Sequence, residues 1–172
     1  HPLAAQTAID ILCRGGNAMD AAIAGAVLLG MCEPHMTGIG GDCFVLFTPP
    51  GSDEVRALNG SGRAPAAADP AIVRQAGGDK IAVNSVHSVT IPGAIDAFCH
   101  LSETHGRLGL DAILAPAIHY AEAGVPVAPR VAFDWARDEG VLQGAGRTHY
   151  LPGGSVPQVG ALFSAPGQAE VL

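Results

Sequence analysis

Residues 17–48, NAMDAAIAGAVLLGMCEPHMTGIGGDCFVLFT, decide the fold. They read as a buried helix, a tight glycine turn and a buried strand. Asn17 is placed to cap the helix, because its side-chain oxygen can accept from an orphan N–H of the first turn. Asp20, three residues on, sits where a carboxylate meets the positive end of the helix dipole. From Ala21 to Cys32 no residue is charged or polar, and a helix apolar on every side is buried all round. The run is too short for a membrane span, which needs roughly 20 residues. Glu33-Pro34 ends it, since proline disfavours helical backbone in the residue before it. Gly38-Ile39-Gly40-Gly41 is then expected as a closely packed turn intolerant of side chains at Gly40 and Gly41, and Cys43–Phe47 as a short apolar strand.

Working outward, the 172 residues suffice for a domain with a core, though the reading here is one incomplete domain over 1–172. Apolar residues make up 48% and charged ones 15%, which excludes a disordered chain. The net charge of −7 and 5% aromatic content argue against nucleic-acid binding, which wants a basic face and stacking platforms. Cys13, Cys32, Cys43 and Cys99 form no CxxC pair and no zinc spacing. No metal or cofactor is implied. Cys32 and Cys43 are expected as buried thiols, which lean towards a reducing, cytoplasmic setting while leaving periplasmic or secreted ones open. The chain starts at His1 without Met and stops at Leu172 without a stop signal, as expected of one piece of a longer or processed protein.

Residues 2–14 read as a first helix with an apolar face at Leu3, Ala4, Ala8, Ile11 and Leu12, closed by Gly15-Gly16. Cys43–Leu58 reads as a β-hairpin with its second strand at 54–58, and 59–70 as a loop. Further helices are expected at 72–76, 94–105, 111–123 (kinked or shortened by Pro116) and 129–141, with a strand at 83–91 and loop-like chain after Gly144. Helices before and after a group of strands indicate an α+β layered domain.

Six stretches carry a resemblance: HPLAAQTAIDILCRGGNAMDAAIA (1–24), EPHMTGIGGDCF (33–44), RAPAAADP (63–70), VTIPGAIDAF (89–98), GRLGLDAILAPAIHYAEAGVPV (106–127) and YLPGGSVPQVG (150–160). In this order they resemble the γ-glutamyltranspeptidases, or γ-glutamyltransferases. The resemblance implies a four-layer αββα sandwich of the N-terminal-nucleophile hydrolase type, of which this chain supplies part as the N-terminal part of the large subunit. It implies a precursor that cuts itself into two subunits. The nucleophile is then the N-terminal threonine of the small subunit, its own amine serving as base. No catalytic residue is expected in this chain, whose threonines all lie outside such a stretch. The implied partner is the small subunit, and the implied substrate a γ-glutamyl amide such as glutathione or another small amide. The alternatives are a cephalosporin-acylase-like or oxamate-amidohydrolase-like enzyme, or a structural piece with no activity of its own.

The loop at 59–65, NGSGRAP, departs from the family pattern. The transpeptidases proper place an arginine two residues before the one preceding Ala-Pro, and it pairs with the glutamyl α-carboxylate. Here that position is Ser61, and the arginine is Arg63. Guanidinium–carboxylate pairing is geometrically strict, so the slide is not neutral. Either Arg63 serves instead, with Ser61 beside it in the substrate-binding loop, or the carboxylate has no partner. Arg63 could equally be a structural loop arginine. GIGG at 38–41 lacks GxGxxG spacing and runs helix to strand, the wrong order for a dinucleotide fold. His35 and His87 are the histidines nearest these loops, and a lone histidine is more often a structural hydrogen bonder. Glu103, Glu122, Asp134 and Asp138 read as solvated charges on helical polar faces.

Overall fold

A computed structural model describes residues 1–172. In order the elements are α1 (Pro2–Cys13), α2 (Ala18–Cys32), β1 (Cys43–Phe47), β2 (Arg56–Gly60), α3 (Pro70–Gly77), α4 (Ala94–His105), α5 (Leu110–Ala123), β3 (Val125–Pro126), α6 (Pro129–Asp138), α7 (Gly144–Tyr150), β4 (Leu162–Phe163) and α8 (Pro166–Val171), with short 3-10 turns between some of them. The chain is mostly helical, with two antiparallel two-stranded sheets, β1–β2 and β3–β4. These residues supply helices and a hairpin, and do not by themselves complete four layers. The fold divides into two compact units, His1–Gly38 with Leu101–Leu172, and Ile39–His100. No helix is long and apolar enough to cross a membrane.

The first unit is built on α2, which packs against α1, α5 and β3. Ile23, Ala24, Val27, Leu28 and Met31 of α2 are buried with Ile11, Leu101, Ile113, Ala117 and Val125. The helix is not buried all round as expected: Ala18, Ala22 and Ala26, spaced by four, form an exposed stripe. Small side chains there leave little apolar surface to hide. Asn17 caps α2 as expected, accepting from the N–H groups of Met19 and Asp20, and the Asp20 carboxylate accepts from the Asn17 N–H to close a capping box. Asp20 does more than meet the dipole. It is fully buried, and its two oxygens also accept from the Arg107 N–H at 3.0 and 3.1 Å. Asn17 Nδ2 donates to the His105 carbonyl at 2.7 Å. The start of α2 is thereby tied to the turn between α4 and α5.

Beyond Gly144 the expected loop is largely structured. Trp135, Tyr150 and Phe163 gather into one aromatic cluster, with the Trp135 and Phe163 rings edge to face at 4.9 Å. Burying Trp135 and Phe163 holds α7 and β4 in place, although their polar, glycine-rich sequence gives no periodic signal. Helix α5 runs through Pro116 without stopping, and α6 is followed by a 3-10 turn over Glu139–Val141.

In the second unit the hairpin is present, with Cys43 opposite Gly60 and Phe47 opposite Arg56. Its second strand starts two residues later than expected, after the Ser52 hydroxyl takes the Glu54 N–H into the turn. Strand β1 alternates rather than being buried: Phe44 and Leu46 face outward, while Cys43 is half-buried. The expected strand at 83–91 is instead an exposed segment with a 3-10 turn at Val86–Ser88. Ser88 Oγ donates to the Val83 and Ser85 carbonyls, and the Ser85 hydroxyl accepts from the His87 N–H. These local bonds win where no neighbouring strand is present to satisfy the backbone.

Candidate functional site

The loop that carries Ser61 and Arg63 leaves β2 at Gly60 and runs against residues 90–93. The two segments meet backbone to backbone, and glycine makes the approach possible. A Cβ on Gly62, which sits at φ +74°, would lie 2.0 Å from the Ile91 carbonyl oxygen. A Cβ on Gly93 would lie 2.4 Å from the Gly60 oxygen, and one on Gly60 2.7 Å from the Ala97 Cβ. The Ile91 N–H donates to the Arg63 carbonyl at 2.9 Å, and the Ser61 N–H to Asn59 Oδ1 at 3.0 Å. The Gly93 and Ala94 N–H groups both donate to the Gly41 carbonyl, which sets the start of α4. Gly40, expected to be tightly packed, is open, since a Cβ there meets nothing within 4 Å. The crowded glycines of this contact are Gly60 and Gly62 on one segment and Gly93 on the other, about thirty residues along the chain.

The backbone of this loop is held, and its side chains are left to face a cavity of about 570 Å³ lined by Asn59, Ser61, Arg63, Ile91, Pro92 and Asp96. Ser61 and Arg63 share this cavity. The Arg63 side chain is exposed, and neither its guanidinium nor the Ser61 hydroxyl has a partner within the chain. Asp96, in the first turn of α4, was not singled out by sequence reasoning. Its only signal was an acidic residue shortly after the Pro92-Gly93 break.

His35 and His87 do not line this cavity. His87 lies with Arg74, Asp79 and Lys80 on a separate shallow cavity of the second unit. His35 lines a cavity of about 660 Å³ in the first unit, with Glu33, Arg130, Asp134 and Arg137. Its side chain is 4% exposed, its Nε2 lies 3.9 Å from Asp134 Oδ2, and its Nδ1 has no partner. Asp134 is not the solvated charge expected. The hydrogen bond from Arg130 holds its carboxyl below the usual range against an opposing cost of desolvation, with charge attraction from Arg130, His35 and Arg137 adding to the lowering. That cluster reads as a structural brace of α6.

Residues 4–172 match the family described as Gamma-glutamyltranspeptidase. The chain belongs to the γ-glutamyltranspeptidase family. Over 128 residues it is 39% identical to the glutathione hydrolase-like YwrD proenzyme of Bacillus subtilis, covering 74% of this chain and 24% of that protein. Over 182 residues it is 34% identical to the oxamate amidohydrolase proenzyme of Klebsiella pneumoniae, covering 100% of this chain and 34% of that one. Among solved structures, the cephalosporin acylase from Bacillus halodurans superposes with a TM-score of 0.90 at 40% identity, over 98% of this chain and 33% of that one. The chain thus spans about a quarter to a third of the length of the curated relatives it matches. Within the family it resembles glutathione hydrolase-like, acylase and amidohydrolase members alike.

Proposed function

We propose that this chain is the N-terminal part of the large subunit of a γ-glutamyltransferase or glutathione hydrolase-like enzyme. The enzyme cleaves γ-glutamyl amides and passes the acyl group to water or an amino acid. The chain contributes part of a four-layer αββα sandwich, completed by the rest of the precursor, and Arg63 and Ser61 to the substrate loop. The nucleophile is an N-terminal threonine of a small subunit cut from the same precursor, so this chain alone is not a catalyst. The threonine hydroxyl adds to the amide carbonyl as its proton passes to the threonine's own amine. The substrate's amine leaves with a proton, and the acyl-enzyme is then attacked by water or by an acceptor amine. The observation that carries the reading is the unpaired Arg63 guanidinium beside Ser61 on a cavity, held by a loop whose backbone is pinned on both sides.

A second reading is favoured by Ser61 standing where transpeptidases carry arginine, and by the acylase and oxamate amidohydrolase among the proteins the chain resembles. On that reading the enzyme is an acylase or small-amide hydrolase without glutamyl preference. The experiment is Arg63→Ala in the full-length enzyme, with kinetics on a γ-glutamyl anilide and on a neutral acyl anilide. Losing a charge-assisted hydrogen bond costs roughly 1.5–3 kcal/mol, so γ-glutamyl kcat/KM is expected to fall about 10- to 150-fold, with little change for the neutral anilide. Equal effects on both make Arg63 structural. Activity on the neutral amide alone, in the unsubstituted enzyme, selects the second reading.

A further inference from the structure

A cavity of about 490 Å³ in the second unit gathers three donor side chains, in a chain whose net charge is −7. Arg74 comes to it from α3, Lys80 from the turn after α3, and His87 from the 3-10 turn at Val86–Ser88. Lys80 is the only lysine in the sequence. Local structure places each of them. The Gly78 N–H donates to the Arg74 carbonyl and closes α3, and Gly78, at φ +66°, turns the chain so that Lys80 and Ile81 border the same cavity as Arg74. The Ser85 hydroxyl accepts from the His87 N–H and fixes the 3-10 turn. The side chains of Arg74, Lys80 and His87 are exposed and make no hydrogen bond or ion pair within the chain. Asp79 is the one acid on the cavity, and it is unpaired as well. Ala64, Ala68, Val73 and Ile81 supply an apolar wall.

The two cations outnumber Asp79, so the cavity is positive in a chain that is otherwise acidic. A guanidinium offers a planar fork, an ammonium a point charge with three N–H donors, and an imidazole an N–H of its own. A phosphate group presents three acceptor oxygens and about two negative charges, so it can meet all three side chains. A single carboxylate would fill the Arg74 fork and leave Lys80 and His87 unused. We propose that this cavity binds a phosphate group through Arg74, Lys80 and His87, either as free phosphate or as a small phosphate monoester whose carbon body lies on the apolar wall. The site is separate from the Ser61/Arg63 cavity and does not rest on the amide-cleaving reading. If Arg74 served only the dipole at the end of α3, its loss would lower stability without changing phosphate binding.

The test is protection of Lys80 from an amine-acylating reagent in the full-length protein, read by mass mapping in phenyl phosphate, inorganic phosphate or benzoate at matched ionic strength. Phenyl phosphate is expected to slow labelling of Lys80, and benzoate to leave it unchanged. Arg74→Gln should raise the phenyl phosphate concentration for half-protection by about 5-fold, the upper value for an exposed ion pair. Arg56→Gln, which removes an exposed guanidinium paired with Glu54 outside the cavity, should leave it unmoved. Stronger protection by phenyl phosphate than by inorganic phosphate assigns the site to a phosphate ester, and equal protection assigns it to free phosphate; both uphold the proposal. No protection by either, equal protection by benzoate, or an unmoved midpoint in Arg74→Gln overturns it. If Arg74→Gln does not fold, calorimetry of phenyl phosphate binding to His87→Ala takes its place, and an unchanged affinity refutes the proposal.

Discussion

Replacing Asp20 with alanine tests whether one buried carboxylate joins two distant parts of the first unit. The side chain is fully buried and accepts from Asn17 N–H at 2.9 Å and from Arg107 N–H at 3.0 and 3.1 Å. Asp20→Ala removes both attachments. Hydrogen bonds to a charged group contribute about 1.5–3 kcal/mol each, so two give roughly 3–6 kcal/mol. Arg107 is exposed and Asn17 half-buried, so water can reach the freed N–H groups, and the lower end, about 3 kcal/mol, is expected. That is a large share of a typical folding free energy of 5–15 kcal/mol. The assay is hydrogen exchange of the full-length protein, read in the segments 14–24 and 100–110. A loss of about 3 kcal/mol predicts exchange roughly 100-fold faster in both segments at once. Asp20→Asn, which keeps an acceptor oxygen and loses the charge, should fall between. Ala22→Ser, on the exposed stripe of the same helix, should change little. Faster exchange in 14–24 with 100–110 unmoved would refute the linkage and reduce Asp20 to a local cap.

Two further predictions concern packing and reactivity. Gly62→Ala should lower folded yield sharply, because its Cβ would meet the Ile91 carbonyl at 2.0 Å and the backbone sits at φ +74°. Gly40→Ala should be far milder, and equal yields would show that the loop can move. Burial pushes the Cys32 thiol up to about 11, with the Glu33 carboxylate adding to the rise. At pH 8 Cys32 should resist alkylation while exposed Cys13 reacts, as mass mapping of the labelled protein would show. The neutral thiol is favoured on folding, so this contribution is intact below the ordinary thiol value of 9.0 and is lost as pH rises towards 11. Rapid labelling of Cys32 in the folded protein would contradict its burial.

What the sequence determined by itself was set by neighbours along the chain. Asn17 marks the start of α2, Glu33-Pro34 marks where it ends, and two strand-like runs close together in the chain give the hairpin. Caps, breakers and periodicity act within a few residues, so they can be read from a string. The stretch 59–70 was likewise legible as a loop from its glycine and proline, while Ser61 and Arg63 became candidates only through the resemblance to the family. Only the tertiary structure decided which residues meet. Val83–Ile91 has the composition of a strand but no partner strand, and local serine bonds take its backbone instead. The chain after Gly144 has no period of its own and is ordered by the aromatic cluster around Trp135. Crowding falls on Gly60, Gly62 and Gly93 rather than on Gly40, because close approach depends on a second segment arriving from some thirty residues away. Asp96 joins Arg63 for the same reason. The sequence separates them by thirty-three positions, and only the backbone contact between β2's end and the start of α4 brings both onto one cavity.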